Sequence, residues 1–263
     1  MCLRKLVSPC QVGAKVRRLV ILLILWTLIC LIIFLPARWI LAALPSSAKA
    51  QIIPGSVSGT LWNGQARVTP PLTTWPIHIS FKNKALPLLL GGNFTTLNVQ
   101  RSGLSGQGSF GLKTAKDVRL RLDIGQLPIS EPRLVGTTGE LSLTLDELRF
   151  GDGCEVASGQ ARTNFLAANA ARWRWKGPIL SGPVECEGDA LVANLRGQDA
   201  DYNVTVDVKL FMDGRYGVDM VIDPSAQAPA EFGFVMSALG FQEQADGSVK
   251  LVEQGQVFQG ARF

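Results

Sequence analysis

The sequence predicts a mainly β protein: a single N-terminal transmembrane helix followed by a curved antiparallel β-sheet domain with one short C-terminal amphipathic helix. Three observations predict this. A long apolar run lies near the N-terminus, short alternating stretches bounded by turn residues fill the rest, and one late segment has helical apolar spacing. We divide the chain into a basic tail (residues 1–18), a transmembrane helix (19–35), a linker with a short helix (36–50) and a β domain (51–263).

The apolar run is the strongest single feature of the chain. Every residue from 19 to 35 is apolar except Thr27, and Pro36 ends the run. A bilayer core needs about 20 mostly apolar helical residues, with about 17 as the lower limit. The run has no polar stripe, which a helix on the surface of a soluble core would show. We therefore predict a membrane span.

The charges on either side of the run predict its orientation. Five basic residues and no acidic residue precede it, whereas only two basic residues follow it closely: Arg4, Lys5, Lys15, Arg17 and Arg18, then Arg38 and Lys49. Basic flanks stay in the cytoplasm, so the chain after Pro36 crosses the membrane. A cleavable signal peptide is the alternative, because Ala48-Lys49-Ala50 has the A-x-A form. The length of the run favours an uncleaved anchor.

The charge balance argues against nucleic-acid binding. The chain has 26 Lys and Arg against 21 Asp and Glu, a net charge of +5. The tail alone holds five basic residues, so the β domain is balanced. Nucleic-acid binding needs a basic face on the folded domain. We expect no nucleic-acid partner.

The cysteines predict one disulfide. Of the five cysteines, only Cys154 and Cys186 fall in the translocated part, and an isolated pair in an oxidising compartment is most simply a disulfide. In the chain-entropy model, a disulfide that closes the loop between Cys154 and Cys186 stabilises the fold by roughly 3–4 kcal/mol. A metal site is the alternative, but the chain has one histidine, His78, and no C-x-x-C motif. We expect no metal and no cofactor.

Alternation predicts the strands and one irregularity in them. Residues 118–124 alternate without error, with Val118, Leu120 and Leu122 on one face. Residues 141–145 alternate too, but the alternation then breaks, because Leu148 is apolar at a position where the pattern predicts a polar residue. A β-bulge at Asp146 and Glu147 would restore the apolar face.

Two hairpins and one helix are predicted near the C-terminus. A three-residue loop over residues 213–215, which pairs Met212 with Tyr216 and Leu210 with Val218, keeps one apolar face intact. Helical spacing predicts the amphipathic helix, with Pro229 in its first turn and Gly240 after its end; its apolar residues are Phe232, Val235, Met236 and Leu239. A closing hairpin is predicted around residues 253–255.

No catalytic constellation is visible, and we expect no enzyme. His78 lies in an apparent strand, where a half-exposed sheet residue is more common than a general base. Glu185, Glu187 and Asp189 flank Cys186, but period-two spacing on a strand explains them as well as calcium binding does.

The order of several motifs resembles a known family. The motif Leu35-Pro-Ala-Arg-Trp39 follows the apolar run, then Val57-Ser-Gly-Thr-Leu-Trp-Asn-Gly64 and Trp75. Residues 177–188 around Cys186, the Leu239-Gly240 pair, Asp246-Gly247 and Gly255 continue the pattern. This resembles the type II secretion system protein N family, the inner-membrane GspN proteins of Gram-negative bacteria.

The resemblance implies a single-pass inner-membrane accessory component of the secretion machinery. Its N-terminus is cytoplasmic, its β domain is periplasmic, and its partners are other inner-membrane platform proteins. The motif residues it marks as structural are Pro36, Trp39, Gly59, Leu61, Trp62, Gly64 and Trp75. From the residues themselves, Leu61 and Trp62 anchor a turn into the core, which we favour over a binding contact. The family is also similar to AsmA-type proteins, so a lipid-binding or lipid-transfer protein is the alternative.

Overall fold

The computed structural model of the chain describes residues 9–39, 57–68, 76–126, 135–173, 175, 177–211, 213–225 and 232–256. Helix α1 (Pro9–Ile33) comes first, and almost everything after it is β. The first half of the β domain consists of β1 (Ser58–Gly59), β2 (Asn63–Val68), β3 (Ile77–Asn83), α2 (Ala85–Leu89), β4 (Thr95–Arg101), β5 (Leu104–Phe110), β6 (Thr114–Asp123) and β7 (Glu140–Phe150). The second half consists of β8 (Cys154–Thr163), α3 (Phe165–Ala168), α4 (Ala170–Trp173), β9 (Leu180–Glu187), β10 (Ala190–Gln198), β11 (Tyr202–Phe211), β12 (Arg215–Pro224), α5 (Phe232–Ala238), β13 (Gln242–Glu243) and β14 (Val249–Gln256).

The described strands form one antiparallel sheet of 14 strands. They follow chain order from β1 to β12, and then β14 precedes β13. Hairpin connections explain this order, because antiparallel neighbours can be joined by short loops and need no crossover helix. The antiparallel sheet that the alternation predicts is thereby confirmed.

One face of the sheet is apolar along its whole width. Directly opposed residues share a face, and the register places a row of small and apolar residues across β3 to β8: Ile79, Val99, Gly106, Leu120, Leu143 and Ala161. The same face continues through Val206, Met220 and Leu251. In the second half of the sheet, Leu166, Trp175, Phe232 and Met236 pack on it and form the core with Val204 and Ile222.

The predicted β-bulge is present in β7. Leu145 pairs with Gly159 and Glu147 with Ser158, so Asp146 is the extra residue. The shift returns Leu148 to the face of Leu145, and both are buried. The break in the alternation therefore indicated a real irregularity, as a bulge requires.

The β11–β12 hairpin has the predicted loop length but starts one residue earlier. Leu210 pairs with Tyr216, not with Val218, so the loop lies between Phe211 and Arg215. The reason is Gly214, which has φ +83° and donates its N–H to Phe211 O at 3.0 Å. A three-residue hairpin loop needs a left-handed residue at its last position, and glycine adopts that conformation without a Cβ clash. The predicted register would have placed Arg215 there.

The C-terminal helix is confirmed over Phe232–Ala238, while Pro229 lies outside the described residues. Phe232 and Met236 are buried, and Gly240 N–H and Phe241 N–H close the end on Ser237 O and Met236 O, both at 3.0 Å. These two bonds are the Schellman pattern.

The predicted closing hairpin at residues 253–255 is wrong. β14 runs straight through them, with Glu253 opposite Val218 and Gly255 opposite Tyr216. Gly255 lies against the Tyr216 ring, where a Cβ would meet the ring at 2.6 Å. Gly255 therefore allows β14 to approach the Tyr216 ring closely, and it does not form a turn. The hairpin that does form joins β13 to β14.

Helix α1 begins at Pro9, before the predicted span, and ends at Ile33. Proline is tolerated in a first turn, and Pro36 disfavours the helical conformation in the residue before it. No helix in the described part of the chain satisfies the length and apolarity that a membrane crossing demands, so the transmembrane helix predicted over residues 19–35 is not confirmed.

Candidate functional site

Two of the motifs singled out in the sequence meet where the N-terminal helix joins the sheet. Pro36 forms an antiparallel bridge with Thr60. Ala37 N–H donates to Gly59 O at 3.0 Å, and Leu61 N–H donates to Leu35 O at 2.8 Å. The first residues of the predicted linker are thus hydrogen-bonded to the edge of the sheet beside β1. Residues 40–50, including the A-x-A sequence, lie outside the described residues.

Two glycines make this junction possible. Gly59 has φ +94°, and a Cβ there would lie 2.4 Å from Asn63 O. Gly64 lies against the Phe81 ring, where a Cβ would meet Cζ at 2.5 Å. Both positions therefore exclude a side chain, which explains their place in the motif.

The turn between β1 and β2 is held by an asparagine from the next strand. Asn83 donates its side-chain N–H to Leu61 O at 2.6 Å and its backbone N–H to Trp62 O at 2.8 Å. Thr95 Oγ1 donates to Asn83 Oδ1 at 2.7 Å. The sequence did not point to Asn83, because nothing local marks an asparagine that binds a loop from another strand.

One of the motif tryptophans, Trp62, is less buried than predicted. Trp62 is half-buried and lies outside the apolar core, and Trp39 is 61% exposed. Trp75 lies outside the described residues. The buried tryptophan of the core is instead Trp175, at 6% exposure.

The predicted disulfide joins Cys154 and Cys186, with a Cα–Cα distance of 5.5 Å. Cys154 opens β8, Cys186 lies near the end of β9, and these strands are neighbours in the sheet. Cys154 is buried in the core and Cys186 packs against it. The prediction is confirmed.

An apolar cleft of about 640 Å³ lies on the apolar face of the sheet. Its walls come from α3, α4 and α5 on one side and from β12 and β14 on the other; they include Phe165, Trp173, Trp175, Tyr216, Met220, Met236, Leu251 and Glu253. Glu253 is the one charged residue among the described lining residues. A volume of this size is in the range of small-ligand pockets.

Trp175, which lines the cleft, belongs to an aromatic cluster in the core behind it. Trp175 packs edge-on against Tyr202 and Phe232, with ring centroids 5.2 and 6.0 Å apart. Burial, with smaller effects of the charges on Asp201 and Asp199, raises the pKa of Tyr202, so its phenol stays neutral at pH 7. Trp175 Nε1 is buried and has no hydrogen-bond acceptor among the described residues.

The last long strand leaves a free edge. β14 pairs with β12 along its whole length, but on its other side β13 reaches only Val249 and Lys250. Residues 251–256 have no strand partner on that side within the described part of the chain. Val252 in this segment is 53% exposed.

The residues considered for chemistry do not assemble into a site. His78 is an exposed residue in β3, opposite Arg67 and Gln100. Glu187 forms an ion pair with Lys209 at 3.3 Å. Across the described ranges, no three His, Cys, Asp or Glu side chains lie close enough to hold a metal ion.

Comparison with protein families places most of the β domain in a known family. Residues 52–252 match the family model "Type II secretion system (T2SS), protein N". Comparison with curated proteins and with solved structures gives no match.

Proposed function

Because the chain belongs to the type II secretion system protein N family, we propose that it is a non-enzymatic accessory component of that system and acts as a docking scaffold in protein export. In this proposal α1 anchors the chain in the inner membrane with its N-terminus in the cytoplasm. The β domain lies in the periplasm and contacts other inner-membrane components of the machinery.

The free edge of β14 is the observation that carries the docking proposal. An unpaired edge offers backbone N–H and C=O groups to a strand of a partner, and such pairing supplies affinity through backbone hydrogen bonds. Natural sheets commonly protect their edges with prolines or lysines. Residues 251–256 contain neither, and Val252 stands exposed among them.

The exposed apolar surface of α1 supports the anchoring proposal. Leu19, Leu23 and Trp26 are 66%, 64% and 69% exposed. A soluble domain rarely leaves such a continuous apolar surface uncovered. Confinement to one membrane would also raise the effective concentration of the docking partners.

Secretion by a strain that lacks this chain tests the docking proposal. Wild type should restore export of a type II substrate, and Val252→Lys should not, because a lysine on an edge blocks strand addition. Val156→Lys is the matched control, since Val156 is also exposed (40%) but lies on β8 in the interior of the sheet, opposite Arg149 of β7. Both variants should unfold at the wild-type temperature. Equal secretion by both would contradict docking at this edge.

A lipid-binding protein is the second candidate, and the apolar cleft favours it. Its aromatic walls and single carboxylate suit a ligand with an apolar body. Native mass spectrometry of the chain purified from membranes should then show bound phospholipid. Met220→Trp should displace the lipid by filling the cleft, whereas Met220→Leu, which nearly conserves volume, should retain it. Lipid-free wild type would remove this candidate.

A further inference from the structure

The face of the sheet opposite the apolar face carries a row of arginine side chains that the sequence alone does not show. The register places Arg121, Ser142, Arg162, Ser181 and Arg196 directly opposite one another on five consecutive strands, from β6 to β10. Opposed residues share a face, so the three arginines stand in one line across the strands. They are separated in sequence by at least 34 residues, which hides the row until the strands pair.

The three arginine side chains are exposed to solvent, where a partner can reach them. Arg121 forms an ion pair with Glu140 at 2.7 Å but keeps 71% of its side chain exposed. Arg162 and Arg196 are exposed and form no ion pair with any described residue. The residues between them are serines, and the acidic groups nearest in register are Asp123 on β6, Glu140 on β7 and Asp207 on β11.

Spacing identifies the partner that fits this row. Neighbouring strands lie about 4.8 Å apart, so arginines on alternate strands lie about 9.6 Å apart. An α-helix rises about 1.5 Å per residue, so side chains seven residues apart on one face repeat about every 10.5 Å. Three carboxylates at i, i+7 and i+14 on a helix that crosses the strands would each reach one guanidinium, which binds carboxylates as a planar fork.

The position of the row favours a protein partner over the membrane surface. The arginines lie near the ends of their strands, as Arg67 does at the corresponding end of β2. The junction of α1 with the sheet lies at the other end of β2, beside Asn63 and Gly64. The row therefore lies at one end of the strands, and α1 joins the sheet at the other end.

We propose that the row Arg121–Arg162–Arg196 binds an acidic helix of a partner protein whose carboxylates repeat every seven residues. This surface is separate from the free edge of β14 and from the apolar cleft. It goes beyond the docking function proposed above, and substitutions in it leave that edge unchanged.

Binding of a designed peptide to the full chain in phosphatidylcholine nanodiscs tests the proposal. The probe is a labelled three-heptad helix with glutamates at i, i+7 and i+14, and its isomer has the same composition with the glutamates on different faces. Fluorescence anisotropy at low salt should show the first peptide bound more tightly than the isomer. Arg162→Glu combined with Arg196→Glu should weaken it by about tenfold or more, because like charges then face each other.

The controls make the outcome decisive. Lys82→Glu with Lys84→Glu makes the same charge change at exposed sites off the row and should change affinity less than about twofold. Arg162→Gln with Arg196→Gln, which avoids repulsion, should also weaken binding and serves if the glutamate variant unfolds. Equal binding of both peptides, or equal losses in row and control variants, would overturn the proposal. Loss of peptide binding in nanodiscs that contain phosphatidylglycerol would show that the row binds lipid headgroups instead.

Discussion

At the residue scale, the disulfide between Cys154 and Cys186 links two strands at the edge of the buried core. Their pairing in neighbouring strands follows from the antiparallel order β8–β9. Cys154→Ala should lower the free energy of unfolding by about 2–5 kcal/mol, as for loss of a native disulfide. Chemical denaturation checks this, and Cys30→Ala in α1 is the control. An unchanged midpoint for Cys154→Ala would contradict the structural role.

The tryptophans show what the sequence could not decide at this scale. Composition places an aromatic in the core but does not say which, and the motif favoured Trp62. Trp175 is 6% exposed and Trp62 is half-buried. Burial depends on which elements cover the sheet, and α3 to α5, which pack over its second half, include two helices of four residues each. Such short helices show no 3.6-residue period to detect.

These two tryptophans give a matched stability test. Trp175→Ala should cost about 3–5 kcal/mol, because it removes a core side chain and leaves a cavity. Trp62→Ala should cost clearly less, because solvent already reaches the ring. Urea unfolding of both variants measures the difference. A larger loss for Trp62→Ala would mean that the first strands, and not the second half of the sheet, hold the core.

At the element scale, the β11–β12 hairpin separates what pattern predicts from what turn geometry decides. Alternation gave the paired faces, since Val206, Val208 and Leu210 share one face with Val218 and Met220. It could not fix the register within that face, because a slip of two residues keeps every side chain on its side. Gly214 fixes it. Asp213 supports the loop: the N–H of Arg215, and then its guanidinium, hold the pKa of Asp213 below its usual value.

Two glycine substitutions test the hairpin. Gly214→Ala should destabilise the domain by about 1–2 kcal/mol, because φ +83° strains a residue with a Cβ. Gly217→Ala, three residues on, should be neutral or stabilising by up to about 1 kcal/mol, because a Cβ there meets nothing within 4 Å. Thermal unfolding compares the pair. Equal effects would mean that the loop does not lie between Phe211 and Arg215.

Helix α1 gives an element-scale prediction about topology. The basic residues before residue 19 and the exposed apolar side chains after it predict export of everything that follows. Alkaline phosphatase fused after Phe263 should be active, since it folds in an oxidising compartment, and a mature N-terminus at Gln51 should not appear. An inactive fusion would reverse the orientation, and cleavage after Ala50 would replace the anchor with a signal peptide.

At the scale of the whole molecule, the sequence pattern predicts the class of fold but not how many strands join one sheet. Alternation and turn spacing predicted an antiparallel sheet, because each strand buries one face. That the 14 described strands form a single sheet, with α1 joined to its first edge through Pro36 and Ala37, depends on contacts between distant segments. The same holds for the cleft and the row of arginine side chains, whose members come together only when the strands pair.

Site-specific photo-crosslinking most directly tests the central claim that this chain is a docking component of the secretion machinery. The photoreactive residue replaces Val252 on the free edge, and a matched one replaces Val156 within the sheet, in cells that carry the complete system. We predict that the residue at 252 links to another component of the type II secretion system and that the residue at 156 does not. No link from 252 to any such component, in cells that secrete normally, would contradict the account.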